Sequence, residues 1–378
     1  MTMPSGTEAL LVNPQGISVS AKRTYRLVSA GRCVLADEQL PLVSEMAVDD
    51  GLLVHDTDLL PFKPGTDVVV LADAHVPGGR EAAEIAAGVS VGGRSVRLRV
   101  VGKRRVVRRN GAWAFSDPEP FSKAPIGWRE AYGGLDEAAR AKRDGPQLDS
   151  LQKYTRYSLK FATVAAYPRN PVGKGWVVEE HAGVEGLELP TVEDPDDPLT
   201  PGRLFAGEPE AWTRQPLPAG LSWVNYGWFP RSAFAGLDRV AFPPGSSPGS
   251  VRVKEVERGW APAGVLTGRP LAERFHVKVS HGAAPALVFE PHLSGREELT
   301  LTNLDPREPE LTCQLPGERP RIAIRPLGEG EREAPARLTS VIVDAGRRRV
   351  SLVWSGVVVA KLPHVPQNET EVGFRVSW

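Results

Sequence analysis

Apolar and polar residues alternate along much of this chain in short runs. Ile17-Ser-Val-Ser-Ala-Lys-Arg-Thr-Tyr25 and Val96-Arg-Leu-Arg-Val100 repeat with a period of two, and Asp67-Val-Val-Val-Leu71 is a continuous β-branched run, so all three predict strands. The last third continues in the same manner at 275–279, Glu298–Thr302, Arg321–Arg325, 341–343, 350–354 and 372–376. Asp344-Ala-Gly-Arg347, between two of these runs, predicts a hairpin turn. Helical windows are few, because proline or glycine interrupts most stretches long enough to carry a 3.6-residue period. Short helices are expected at 135–143, around 209–212 and at 231–237. The pattern predicts a mainly β fold of antiparallel, sandwich-like sheets, joined by long Pro/Gly-rich loops with few short helices.

Composition sharpens this picture. The 38 glycines and 35 prolines in 378 residues exceed the average share of about 12% and imply frequent chain reversals. Two irregular stretches stand out, 187–203 with four prolines and Phe242-Pro-Pro-Gly-Ser-Ser-Pro-Gly-Ser250. The second is small, polar and unable to continue a strand or helix, so it marks the expected boundary between an N-terminal β-rich lobe at 10–241 and a C-terminal one at 251–378. One intertwined domain is the alternative. No repeat of fixed period argues for a solenoid or propeller.

Charge excludes several classes. The 46 basic and 46 acidic residues cancel, which leaves no overall field to gather nucleic acid or an anionic membrane. No window approaches the roughly 20 apolar residues of a spanning helix, and the first residues lack a leader pattern, so a soluble cytoplasmic protein is expected. Cys33 and Cys313 stand far apart in sequence, which argues against a disulfide framework and a zinc cluster and for two buried thiols.

Residues able to carry chemistry do not converge. Glu179-Glu180 and Glu193-Asp194-Pro-Asp-Asp197 could supply an acid and a base for glycoside cleavage, yet adjacency in a Pro-rich loop does not set two carboxyl groups across a cleft. The same loop lacks the alternation and turn glycine of a calcium loop. The seven histidines are dispersed, and His276 and His281 would fall on opposite faces of a strand. Gly173-Lys-Gly175 lacks the strand and helix that define a phosphate loop. No catalytic residue, metal or cofactor is assigned.

The concentrated basic run, from Arg94 to Arg109, has no interleaved aromatics; Trp113 and Phe115 follow it. It reads as a strand whose polar face is solvated or covers an acidic neighbour, with an acidic protein partner as the alternative. The aromatic blocks are more specific. In Trp128-Arg-Glu-Ala-Tyr-Gly-Gly134 a large ring precedes two residues that tolerate positive φ, which predicts a tight bend under a packed aromatic. In Tyr167-Pro-Arg-Asn-Pro-Val-Gly-Lys-Gly-Trp176 the prolines and glycines prebuild a stiff loop. Trp212, Trp223, Tyr226, Trp228 and Phe229 add further rings that read as core or as part of a recognition surface.

At these residues the chain resembles the family known as domain of unknown function 2169, found in bacterial type VI secretion clusters. The matching blocks are Phe62-Lys-Pro-Gly-Thr-Asp-Val-Val-Val70 with Ala72-Asp-Ala-His-Val-Pro-Gly-Gly79, 96–105, 128–134 and Asn170-Pro-Val-Gly-Lys-Gly175. Glu298-Leu-Thr-Leu-Thr-Asn-Leu304, Gln314-Leu-Pro316 and Leu338-Thr-Ser-Val-Ile-Val-Asp344 with Leu352-Val-Trp354 complete the order. The chain departs from the pattern at Ala124-Pro-Ile-Gly-Trp128, where a Pro-Leu run is usual, and at Gly102-Lys-Arg-Arg105, where Gly-Asp-Arg-Trp is usual. The resemblance implies a non-enzymatic adaptor or chaperone that binds a secretion effector or spike-tip protein and assists its loading. Tyr132, Asn170, Trp176, Trp223 and Trp228 are the expected contact or platform-shaping residues. The rival reading is a carbohydrate-binding or glycoside-hydrolysing β-protein with Trp and Tyr platforms and Asp194, Asp196, Glu179 or Glu180 as acids. A third is a structural component of the secretion machine.

Overall fold

The alternating runs become strands of two large sheets. A computed structural model describes residues 6–13, 16–60, 63–143, 165–225, 228, 231, 258–260, 277–326, 328–359 and 372–378. Among these the fold is mainly β, as the pattern predicts. The first sheet has seven strands in the order Glu8–Asn13, Gly16–Arg26, Arg349–Val358, Arg337–Asp344, Thr66–Leu71 and Val288–Phe289, with Val34–Leu35 paired beside Gly16–Arg26. The second has six: Val192–Glu193, Arg94–Val101, Glu84–Val91, Glu298–Thr302, Glu310–Gln314 and Gly31–Arg32. A three-stranded sheet centres on Arg321–Arg325.

Most pairings are antiparallel, but Thr66–Leu71 runs parallel to Arg337–Asp344, with Val68 opposite Val341, and Gly31–Arg32 runs parallel to Glu310–Gln314. The expected hairpin turn forms: Asp344 pairs with Arg349, and Asp344 Oδ1 accepts the Arg347 amide at 3.0 Å. The expected boundary at 242–250 lies outside the described residues, and each large sheet draws strands from both sides of it.

The longest expected strand shows why alternation alone is incomplete. Its polar positions Ser18, Ser20, Lys22 and Thr24 are as buried as Ile17, Val19 and Tyr25. A polar face survives burial only where partners replace water, and the chain between 39 and 58 provides them. Lys22 Nζ donates to Asp58 Oδ2 at 2.9 Å and to Pro41 O at 3.1 Å, and the Thr24 amide donates to Gln39 Oε1 at 2.9 Å. One apolar cluster takes side chains from both large sheets, Val19 and Val69 from one and Leu98 and Leu301 from the other.

The helical expectations divide. The segment Glu137–Arg143 is an α-helix, capped by Asp136 Oδ1 accepting the Ala139 amide at 2.9 Å. The segment Pro209–Arg214 is a 3-10 helix. Of 231–237, only Arg231 is described. The strand expected at 275–279 is corrected: Val277–Ser280 is a 3-10 turn. The turn brings His281 to Asp67, and this buried contact overrides a short alternating run. The two cysteines, isolated in sequence, are both buried free thiols and are neighbours in space.

Candidate functional site

The two loop blocks close on each other through backbone. Gly133 has φ 145°, and an added Cβ would lie 2.0 Å from Asn170 O, so only glycine fits this crossing. The Gly134 amide donates to Asn170 O at 2.9 Å and the Tyr167 amide to Gly134 O at 2.9 Å. Tyr132 and Gly133 pair in parallel with Lys174 and Gly175. Asn170, fully buried, ties the knot: its Nδ2 donates to Trp128 O at 2.7 Å and Tyr132 O at 3.1 Å. An asparagine side chain here supplies the donors that a regular ladder would otherwise provide.

Aromatic rings fill the inside of this knot. Tyr132 and Tyr167 meet edge-on at 5.1 Å, and Tyr167 meets Trp176 at 5.1 Å. Such pairs contribute about 0.5–1.5 kcal/mol each beyond area burial. Burial keeps the Tyr132 hydroxyl well above its ordinary pKa, so it stays a neutral donor to Gln215 Oε1 at 3.1 Å. Trp176 Nε1 donates to Ala165 O at 2.8 Å. Arg169, also buried, donates to the Tyr167 hydroxyl and to Trp212 O, and its guanidinium stacks over the Trp212 ring at 4.5 Å. Trp128 joins Trp228 and Trp260 edge-on at 6.3 and 6.2 Å and donates to Ser222 O.

Tyr132, Asn170 and Trp176 therefore share one knot, and Trp228 reaches it through Trp128. Trp223 sits apart, 5.5 Å from the His55 ring and 6.0 Å from Lys63 Nζ. All five expected residues are buried, so none of them presents its side chain as an exposed contact surface. Tyr226 and Phe229 lie outside the described residues.

Beside Trp223 lies a group that the sequence reading missed. Asp67, fully buried at the head of its strand, meets Lys63 Nζ at 2.7 Å, His281 Nδ1 at 2.7 Å and the Gly282 amide at 2.7 Å. His281 Nε2 faces Glu290 Oε1 at 3.3 Å. Burial alone would raise the Asp67 carboxyl, but Lys63 and His281 outweigh it and hold the group well below the usual carboxylate range. A second buried pair, Asp56 with Arg231 at 2.9 Å, packs against Gly282, where a Cβ would lie 2.6 Å from Asp56 Oδ2. Lys63 and Asp67 stand four apart in the sequence, but no spacing signal connects them to His281.

The loop acids are engaged by cations. Glu179 pairs with Lys142 and Glu180 with Arg108; Asp194 lies 2.6 Å from Arg258, and Asp196 lies 3.9 Å from it. Glu193 is buried and bridges Arg99 and Arg104, each at 2.8 Å. The basic run thus covers acidic neighbours of its own chain. Among the described residues no group of three or more His, Cys, Asp or Glu is arranged to hold a metal ion, and no helix is long and apolar enough to cross a membrane.

Fold and site together define a mainly β protein in which two loop blocks are fixed to each other by an asparagine-and-aromatic knot. The chain matches, over residues 14–355, the family described as an uncharacterized protein conserved in bacteria, DUF2169, and it belongs to that family. No curated protein and no solved structure matches it.

Proposed function

We propose that the protein is a non-enzymatic cytoplasmic adaptor or chaperone, which binds a type VI secretion effector or spike-tip protein and assists its loading onto the spike. The observation that carries this reading is the position of the family-like blocks. Residues 128–134 and 170–175 build a buried framework that fixes loop backbone, and fixed loops lower the ordering cost of binding a protein client. The hairpin formed by Ala47–Asp49 and Leu52–His55 is tied to the same region. Arg129 donates to Asp49 O at 2.8 Å and Asn225 to Gly51 O at 2.7 Å, while Val48 and Val54 stay exposed. A tied hairpin with exposed apolar side chains suits the apolar surface of a client. The carbohydrate reading has less support, since Trp223 and Trp228 are buried and Glu179, Glu180 and Asp194 are each engaged by a cation.

The test is affinity capture of the tagged chain from cells that carry its neighbouring genes. Enrichment of an effector, spike or tip protein over a tag-only control is expected. Repeated capture without any of them overturns the proposal.

A further inference from the structure

The chain's two cysteines are separated by 280 positions, and the fold brings their sulfurs to 3.7 Å. Strand register explains the meeting. The two-residue strand Gly31–Arg32 runs parallel to Glu310–Gln314 with Gly31 opposite Cys313, and the Cys33 amide continues the ladder by donating to Gln314 O at 2.8 Å. Side chains two apart on a strand share a face, so Cys33 falls on the same face as Gly31, the residue that stands opposite Cys313. Both thiols are buried, and the chain has no other cysteine with which either could pair.

We propose that Cys33 and Cys313 are a modification site, a thiol pair that a peroxide-class oxidant converts into a reversible intramolecular disulfide. Cys33 lies just beyond an edge strand of only two residues, next to a turn with Ala30 at φ 53°, and Val28, Val34 and Leu35 around it are exposed. So short an edge opens at low cost, which admits a small oxidant and lets the sulfurs close to the bonding distance of about 2.05 Å. Cys33 adjoins the short edge strand while Cys313 lies within Glu310–Gln314, and the hydrogen-bonding neighbour Cys313 holds the Cys33 thiol below its ordinary pKa, so Cys33 attacks first.

The Cys33 thiolate attacks one peroxide oxygen and the O–O bond breaks, giving a sulfenic acid and one water. The Cys313 sulfur then displaces the sulfenic oxygen, which leaves as a second water. Two thiol hydrogens and two electrons pass to the peroxide, and a dithiol reductant reverses the link. The bond ties the entry to the first large sheet to a strand of the second, closing a long loop and restricting the unfolded chain.

The full chain is treated with hydrogen peroxide, denatured and alkylated, and its intact mass is read. The expected result is a loss of about 2 Da with no alkylation, against two alkylations before oxidation and after dithiothreitol. Oxidised protein also unfolds at a higher temperature than reduced protein. Cys33→Ser and Cys313→Ser should each lose the 2-Da product. Peptide mapping of the wild type without reduction identifies the linked peptides directly, so the test survives a variant that fails to fold. Retention of both alkylatable thiols overturns the proposal, and so does oxidation that stops at a sulfinic acid or links two chains.

Discussion

Two of the buried polar regions among the described residues are built on opposite principles. In the knot around Asn170, amide donors meet backbone carbonyls, glycine and proline set the path, and the buried cation there, Arg169, donates to a hydroxyl and carbonyls and faces rings. In the group around Asp67, an ammonium, a carboxylate and an imidazole are withdrawn from water together. Neutral hydrogen bonds contribute about 1 kcal/mol each and fail locally. Buried charges contribute little as a set but fail severely when one member is removed. The first region therefore specifies loop shape, and the second fixes the turn at Val277–Ser280 against the strand Thr66–Leu71.

The largest effect should come from breaking the charged set. Asp67→Ala leaves Lys63 and His281 without their shared carboxylate and should cost about 3–5 kcal/mol, read by urea unfolding. The pH dependence checks its origin. The folded Asp67 carboxyl is held below its unfolded value of about 3.9. Its contribution is therefore present above that pH and is lost as pH falls from there toward the folded value. The gap between wild type and Asp67→Ala should be constant near neutrality and narrow below about pH 4. A gap that widens on acidification would contradict this account.

Gly133→Ala is the matching break in the neutral region. The added Cβ meets the Asn170 carbonyl oxygen at 2.0 Å in a backbone conformation that alanine avoids, and the combined strain should cost about 2–4 kcal/mol. The loss should be independent of pH, unlike that of Asp67→Ala. A stability change under about 0.5 kcal/mol, the range of an ordinary surface substitution, would show that the loop crossing relaxes freely.

The contrast also explains what the sequence made legible. Strands, the hairpin at 344–347 and the stiff loops follow from local rules, because alternation, Gly-Gly and Pro spacing act within a few residues. Each half of the knot is readable for the same reason, as a bend at 128–134 and a stiff loop at 167–176, but their closure on each other through Asn170 is not. The Asp67 group was not readable, since its members come from positions 63, 67 and 281 and only the folded chain unites them. The same holds for Cys33 with Cys313 and for the buried polar face of Gly16–Arg26, whose cover arrives from 39–58. The basic run shows a third case. Its strand character was plain, but Glu180, Glu188 and Glu193, which accept its arginines, come from a segment at 180–193 whose path alternation does not reveal.

The smallest effect separates burial from charge as the cause of the contrast. Arg108 and Glu180 form an ion pair at 2.6 Å with both side chains largely exposed, and the guanidinium stacks 3.6 Å over the Trp113 ring. The opposite charges are as close as Lys63 and Asp67, but water remains around them. Arg108→Ala should therefore cost less than about 1 kcal/mol, most of it stacking rather than pairing. Arg108→Lys keeps the charge without the flat guanidinium and should recover only part of the loss. Added salt should shrink the Arg108→Ala effect and leave that of Asp67→Ala nearly unchanged, because exposed charges are screened and buried ones much less. If the exposed variant loses as much stability as Asp67→Ala, or if salt moves both alike, desolvation is not what divides the two polar regions.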